Sequence, residues 1–279
     1  MSFPRTTVGG ISLPRMIMGS NWVLGYSHTS AAADAMIAAR NRNRDAIADI
    51  AETFLAHGVD ACMSLMAEQE IIDGLKFAED RTGKKIIRIA TPHINVDDNA
   101  AARKEAEAVI KKCKADGCDF CFPHHISAEK LVNKCLQTMP RLPDYLKMIR
   151  DHGMIPGLSA HMPEIVVYSD LNNYDVESYI QIYNCMGFMM QIEIEYIHKG
   201  IHAAKKPVMT IKPMAAGRCT PFVGITFAYA TLRECDMVTV GCLTTKEAEE
   251  DVEIGLAAIE RRMPGVAGRS SPAKSEIMK

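Results

Sequence analysis

The chain lacks any long apolar run: nothing in its 279 residues approaches the roughly 20 apolar residues a membrane span needs. Its first twenty residues also lack the basic start and apolar centre of a secretory signal, so the expectation is a soluble, cytoplasmic protein. There is no charge excess either. With 32 Lys and Arg against 34 Asp and Glu, the net charge is -2, which removes the basic field that nucleic acid or an anionic membrane would require of a partner. The nine cysteines are odd in number and show no disulfide-framework spacing, as expected in a reducing compartment. Low-complexity segments are missing as well. What remains is a chain able to bury one large core and to act on a small-molecule substrate.

Short apolar runs recur along it: LPRMIMGS (13–20), GVDACMSL (58–65), KKIIRIATP (84–92), CDFCFPH (118–124), GMIPGLSAH (153–161), SYIQIYN (178–184), KPVMTIKPM (206–214) and CDMVTVGC (235–242). Each is followed by a polar stretch with apolar residues at helical spacing, often closed by glycine. The last such stretch opens with Thr244 and Glu247, three apart, a capping pattern. Eight strands alternating with helices predict parallel βα units closed into a (β/α)8 TIM barrel over residues 1–263. The first connection, 25–44, is long enough to cover the C-terminal mouth, and the tail 264–279 is polar and aperiodic, predicting poor order. CMGFMMQ (185–191) suits core packing on an outer helix or the contact of a homo-oligomer.

CDFCFPHHIS (118–127) has the look of a zinc site. On a strand, however, Cys118 and Cys121 point to opposite faces and cannot share one metal. His124 and His125 differ, because Pro123 ends the strand and leaves them at the functional rim of a barrel. The same rim is expected to carry Asn21, Asp60, Ser64, His93, His161, Tyr183, Asn184 and Lys212. Neutral imidazoles of His93, His124 and His161 around one cavity would suit a divalent zinc, iron or manganese ion. Equally, a histidine there could move protons without a metal. Lys212 would need a carboxylate partner, with Asp60 as the candidate, or a lowered pKa fitting it for acid/base work, an imine or oxyanion stabilisation. Gly217, Arg218 and Gly241 fall in the loops after strands 7 and 8, where barrels commonly bind phosphate.

Read strand by strand from about residue 13 to 262, the order GVDACMSLMAEQEIIDGL, IIRIATP, CDFCFPHH, IPGLSAHMPEIV, YIQIYN, IKPMAAGR and VTVGCLTTKEAEEDV resembles the aldo-keto reductase superfamily. The resemblance implies the barrel, an NADP cofactor and a catalytic tetrad of which Asp60 and His124 match the aspartate and histidine. Leu65 and Pro92 stand where the family has its tyrosine and lysine. Among the nicotinamide contacts Gln181 matches, while Ala160 and Ile211 do not, and Glu249, Glu250 and Asp251 stand where the family surrounds the adenosine phosphate with basic residues and an asparagine. A leucine cannot donate a proton.

The expected activity is therefore acid/base chemistry, metal-assisted or not, of an isomerase, epimerase or lyase on a small polar carbonyl compound, sugar-like or phosphorylated. Asp60, His124, His125 and Lys212 would be catalytic, and Asn21, Tyr183, Asn184, Gly217, Arg218 and Gly241 would bind substrate. The alternatives are an NADP-dependent reductase in which Tyr26 or Tyr183 donates the proton, and a ligand-binding barrel without catalysis.

Overall fold

In the computed structural model, which describes residues 2–266, the chain starts with an antiparallel hairpin of β1 (Arg5–Val8) and β2 (Ile11–Pro14). Gly9 and Gly10 both have positive φ, as a two-residue hairpin turn of this kind demands. All eight apolar runs then form strands: β3 (Met16–Gly19), β4 (Ala61–Ser64), β5 (Ile87–Ala90), β6 (Phe120–Cys121), the broken pair β7 (Ile155–Pro156) and β8 (Leu158–Ala160), β9 (Tyr179–Ile182), β10 (Val208–Ile211) and β11 (Met237–Val240). Every pairing among them is parallel, in the order β7-β6-β5-β4-β3-β11-β10-β9-β8. Since β7 and β8 are one run interrupted at Gly157, the sheet returns to itself as a (β/α)8 barrel.

That closure depends on Gly157. A Cβ there would stand 2.4 Å from the Phe122 ring and 2.6 Å from the Ser178 carbonyl oxygen. The strand can therefore change partners, from β6 to β9, only where no side chain intrudes.

The helices are α1 (Asn21–Leu24), α2 (Ala31–Asn41), α3 (Arg44–Ala56), α4 (Gln69–Thr82), α5 (Ala100–Ala115), α6 (His125–Ala128), α7 (Leu142–Asp151), α8 (Glu164–Leu171), α9 (Ile194–Ala203), α10 (Pro221–Thr231) and α11 (Thr245–Glu260). Alternation along the strands sorts side chains into two cores. Ile17, Ala61, Ile89, Phe120, Phe122, Ile180, Met209 and Met237 fill the barrel interior, and Val8 and Leu13 of the hairpin join them from the N-terminal end. The opposite faces pack against the helices. At α11 the capping pattern forms, with Thr244 Oγ1 accepting from the Glu247 N–H and Glu247 Oε2 accepting from the Leu243 N–H.

Two local expectations change. Cys118 and Cys121 both lie in the outer core, on the same side, because β6 covers only Phe120–Cys121 and alternation does not extend back to 118. CMGFMMQ is a loop after β9 and not a helix, with Met186 and Met189 exposed. Residues 267–279 lie outside the described residues; just before them, the Gly265 N–H donates to Glu253. Among the described residues no helix is long and apolar enough to cross a membrane.

Gly157→Ala should cost roughly 2–3 kcal/mol through overpacking against Phe122, read as a lowered urea midpoint at unchanged slope. An unaltered midpoint would show that the closing strand has room to spare.

Candidate active site

A cavity of about 700 Å3 opens at the C-terminal ends of the strands. Its floor is Met63, Ile180, Ile211 and Thr239, pointing up from β4, β9, β10 and β11. Hydroxyls of Ser20, Ser64, Thr91 and Ser159 line the wall, and the Ser20 and Ser64 hydroxyls are 2.8 Å apart in a hydrogen bond. The long first connection supplies Trp22, Tyr26, Ser27, His28 and Asp34, so it does form part of the mouth. It is tied down at both sides: Tyr26 Oη donates to Glu68 at 2.7 Å, and Asn41 Nδ2 donates to the Leu243 carbonyl at 2.6 Å.

Four predicted histidines meet on one side. The His124 N–H donates to the Pro92 carbonyl, which carries the β5/β6 pairing past the strand ends and sets His124 beside His93. Ser127 Oγ donates to the Ile94 carbonyl and accepts from the Ile94 N–H, which fixes α6 against the same segment. The rings form a continuous row. His93 and His124 stack at 4.2 Å between centroids, His124 and His125 lie at 4.3 Å, and His125 and His161 stack at 3.5 Å. Glu129 Oε1 accepts from the backbone N–H of both His161 and Met162 at 2.8 Å, while its Oε2 is 3.8 Å from His125 Nδ1.

Such a row does not make the expected metal site of His93, His124 and His161. Imidazole lone pairs lie in the ring plane, so the stacked pairs His93/His124 and His125/His161 each direct theirs side by side and not onto one point. Among the described residues no group of three or more His, Cys, Asp or Glu is placed to hold a metal ion. The electrostatics favour neutral rings instead. Burial, with neighbouring imidazoles and, for His161, Lys212 adding to it, lowers His124 and His161 to about 3. Burial also lowers His93 and His28.

Lys212 follows β10 and lines the cavity, and burial alone lowers its amine to about 8. Among the described residues its Nζ has neither a hydrogen-bond acceptor nor a carboxylate partner. The expected partner, Asp60, is elsewhere. β4 begins one residue later, at Ala61, which puts Asp60 roughly 13 Å below the strand's top. There it pairs with Arg5 of the hairpin at 2.8 Å, and it takes no part in the cavity. The backbone around Lys212 is strained: Lys212, Ala215 and Ala216 have φ of 61°, 51° and 55°, a conformation costing non-glycine residues about 1–3 kcal/mol each.

The predicted binding residues divide. Asn21, Gly217, Arg218 and Gly241 line the cavity. Tyr183 does not: it faces outward, its hydroxyl 2.9 Å from Thr231 Oγ1 and its ring against Phe227. Asn184 is fully buried and holds the following loop, accepting from the Met186 and Phe188 N–H groups. The backbone donors expected for an anion are also occupied, since the Gly217 and Arg218 N–H groups donate to the Met214 and Ala215 carbonyls. Arg218 lines the cavity with its guanidinium 3.9 Å over the Phe188 ring and its Nη1 donating to the Ala215 carbonyl at 3.1 Å.

Sequence reasoning missed His28, Trp22 and Glu129, and it weighed the acidic residues of α11 only against the family's adenosine-phosphate contacts, not as a wall of the cavity. Glu129 carried a signal, since it stands four residues after His125. On α11, Glu247, Glu250 and Asp251 line the cavity. Asp251 is only 2% exposed and has no hydrogen-bond or ion-pair partner among the described residues, and burial followed by the charges of Glu247 and Glu250 raises it to about 8. Gln181 is buried and does not line the cavity, and its side-chain N–H points to the His161 carbonyl at 3.4 Å.

No family model matches the chain, and no curated protein does. Solved structures do. A Pseudomonas aeruginosa protein assigned to the aldo-keto reductases superimposes with a TM-score of 0.64 at 13% identity, over 91% of this chain and 95% of that one. Aldose reductase from Giardia lamblia gives 0.57 at 11% identity, over 95% and 90%. An aldo/keto reductase from Klebsiella pneumoniae, in complex with NADP and acetate, gives 0.55 at 14% identity, over 94% and 92%. The chain thus has the barrel of the aldo-keto reductases.

The histidine row makes a prediction about acid. Below their ordinary value of 6.5, His124 and His161 take up protons in the unfolded chain but not in the folded one, so stability should fall from about pH 6.5 toward 3. His124→Asn with His161→Asn should shrink the stability lost between pH 7 and 4 in urea unfolding. A double variant with the parent's pH dependence would mean that the rings are solvated.

Proposed function

We propose that this chain, built on the barrel of the aldo-keto reductases, is an enzyme that moves protons on a small polar carbonyl compound, in isomerase, epimerase or lyase chemistry. The observation that carries this reading is Lys212, an amine without a counter-ion in a cavity walled by neutral imidazoles. Lys212 draws electron density from the carbonyl and so acidifies the neighbouring C–H. A neutral imidazole, His161 or His28, whose rings interact electrostatically with Lys212, removes that proton and can return it to the same carbon or its neighbour. Hydroxyls of Ser20, Ser64, Thr91 and Ser159 suit a sugar-like substrate, and Arg218 suits an anionic group on it.

Hydride transfer is the second reading, favoured by the shared barrel and by the NADP bound in the Klebsiella enzyme. The cavity lining opposes that cofactor. Its α11 wall is acidic where a phosphate would need cations, the α11 N-terminus is already capped by Glu247, and the matched Gln181 lies outside the cavity. Tyr26 lines the mouth, but its hydroxyl is committed to Glu68. No step here uses NADP or a metal.

The test is exchange of the α-proton in D2O, followed by NMR, with glyceraldehyde, dihydroxyacetone and their phosphates. The parent should exchange at least one of them, and Lys212→Met or His161→Asn should slow it by about 100-fold or more. Exchange indifferent to both substitutions, or tight binding of NADPH seen by its fluorescence, would contradict the reading.

A further inference from the structure

We infer that Lys212 works as a covalent nucleophile, its Nζ forming an imine with the substrate's carbonyl carbon. The inference rests on the carbonyl reading above and goes beyond it, since an amine can also assist by charge alone. Three features separate the two roles. A lysine that acts by charge is ordinarily held as an ammonium by a carboxylate, and Lys212 has none among the described residues: Asp60 is engaged with Arg5, and Asp34, the acid of the nearby first connection, is engaged by the Ser27 N–H and hydroxyl. The residue is anchored by a backbone that does not yield: its carbonyl accepts from the Ala215 N–H inside the run of left-handed residues, so the side chain leaves from a fixed origin. Around it stand neutral imidazoles, the groups that imine formation needs to carry protons between nitrogen and oxygen.

The chemistry balances without a co-reactant. The Nζ lone pair attacks the carbonyl carbon, and the C=O π pair moves onto oxygen. A neutral imidazole, His161 or His28, takes a proton from the new N–H and passes it to that oxygen, giving a carbinolamine. The same imidazole, neutral again, takes the second N–H proton and delivers it to the hydroxyl as the nitrogen lone pair forms C=N and the C–O bond breaks, so that the oxygen leaves as water. One carbonyl and one amine give one imine and one water, and a solvent proton makes the iminium, a stronger electron sink than the parent carbonyl. The charged and titratable groups around Lys212 in the cavity are His28 and Asp34 of the first connection, His125 of α6, His161 after β8, Arg218 of its own loop and the carboxylates of α11.

The test treats the intact protein with glyceraldehyde or dihydroxyacetone and sodium borohydride, then maps adducts by peptide mass spectrometry. The expected result is one secondary amine, on Lys212, with the mass of the probe plus two hydrogens less one water. It should vanish in Lys212→Arg while circular dichroism is unchanged. A pH series in the same buffer separates the roles. A nucleophilic amine predicts α-proton exchange that rises to about pH 8 and then levels, whereas an ammonium predicts exchange that falls above about 8. Exchange that persists with no adduct on Lys212, with adducts spread evenly over surface lysines, or with the falling profile overturns the imine and leaves the carbonyl reading in place. Absence of both exchange and adduct overturns the two together.

Discussion

The mouth of this barrel is governed by the withdrawal of basic groups from water, with few acids set against them. Lys212 and the row His93, His124, His125 and His161 share one cavity, and the carboxylate set directly against that row is Glu129. Desolvation then decides the protonation states. Burial holds His93, His124 and His161 below their ordinary value, toward the neutral form, and the pairs His93/His124 and His125/His161 stack face to face. The amine of Lys212 sits near its own titration point, where it can be both nucleophile and proton carrier. The left-handed backbone after β10 belongs to the same arrangement, because strain of that kind persists only where surrounding structure holds it.

Much of the fold was legible in the sequence because its signals are local. Each apolar run became a strand, and Thr244 capped α11 as its spacing from Glu247 indicated. His93, His124, His125, His161 and Lys212 were legible as cavity-lining residues, since each stands at or just past the C-terminal end of its strand run. The site was not legible where one residue of register changes the answer. Asp60 lies one position before β4 begins, and so belongs to the opposite end of the barrel. Tyr183, one step beyond Ile182, turns to the helices. Cys118 faces the same side as Cys121 because the strand between them is too short to alternate. Stacking of the imidazoles, and the absence of a partner for Lys212 among the described residues, are tertiary facts that no spacing could encode.

The barrel and the chemistry therefore separate. This chain shares the aldo-keto reductase architecture at 11–14% identity with the three reductase structures compared, and it carries Leu65 and Pro92 where the resemblance would place a proton donor and its lysine. In their stead the mouth has the amine of Lys212 just after β10, a histidine row after β5, β6 and β8, and an acidic wall on α11 that includes Asp251, which has no partner among the described residues. The carboxyls of Glu247, Glu250 and Asp251 thus wall the α11 side of the cavity, while Lys212 and the histidine row come from the strand ends. A substrate with a carbonyl at the Lys212 side would be oriented by that division.

The central claim is that Lys212 is a desolvated, unpaired amine, and its titration tests this most directly. Protein labelled with 13C at lysine Cε, compared with Lys212→Met to assign the resonance, would be titrated by NMR from neutral to alkaline pH. The account predicts a midpoint near 8, separated from the surface lysines. A midpoint at the ordinary 10.5 would contradict it, because the amine would then be solvated or paired and no special reactivity would follow.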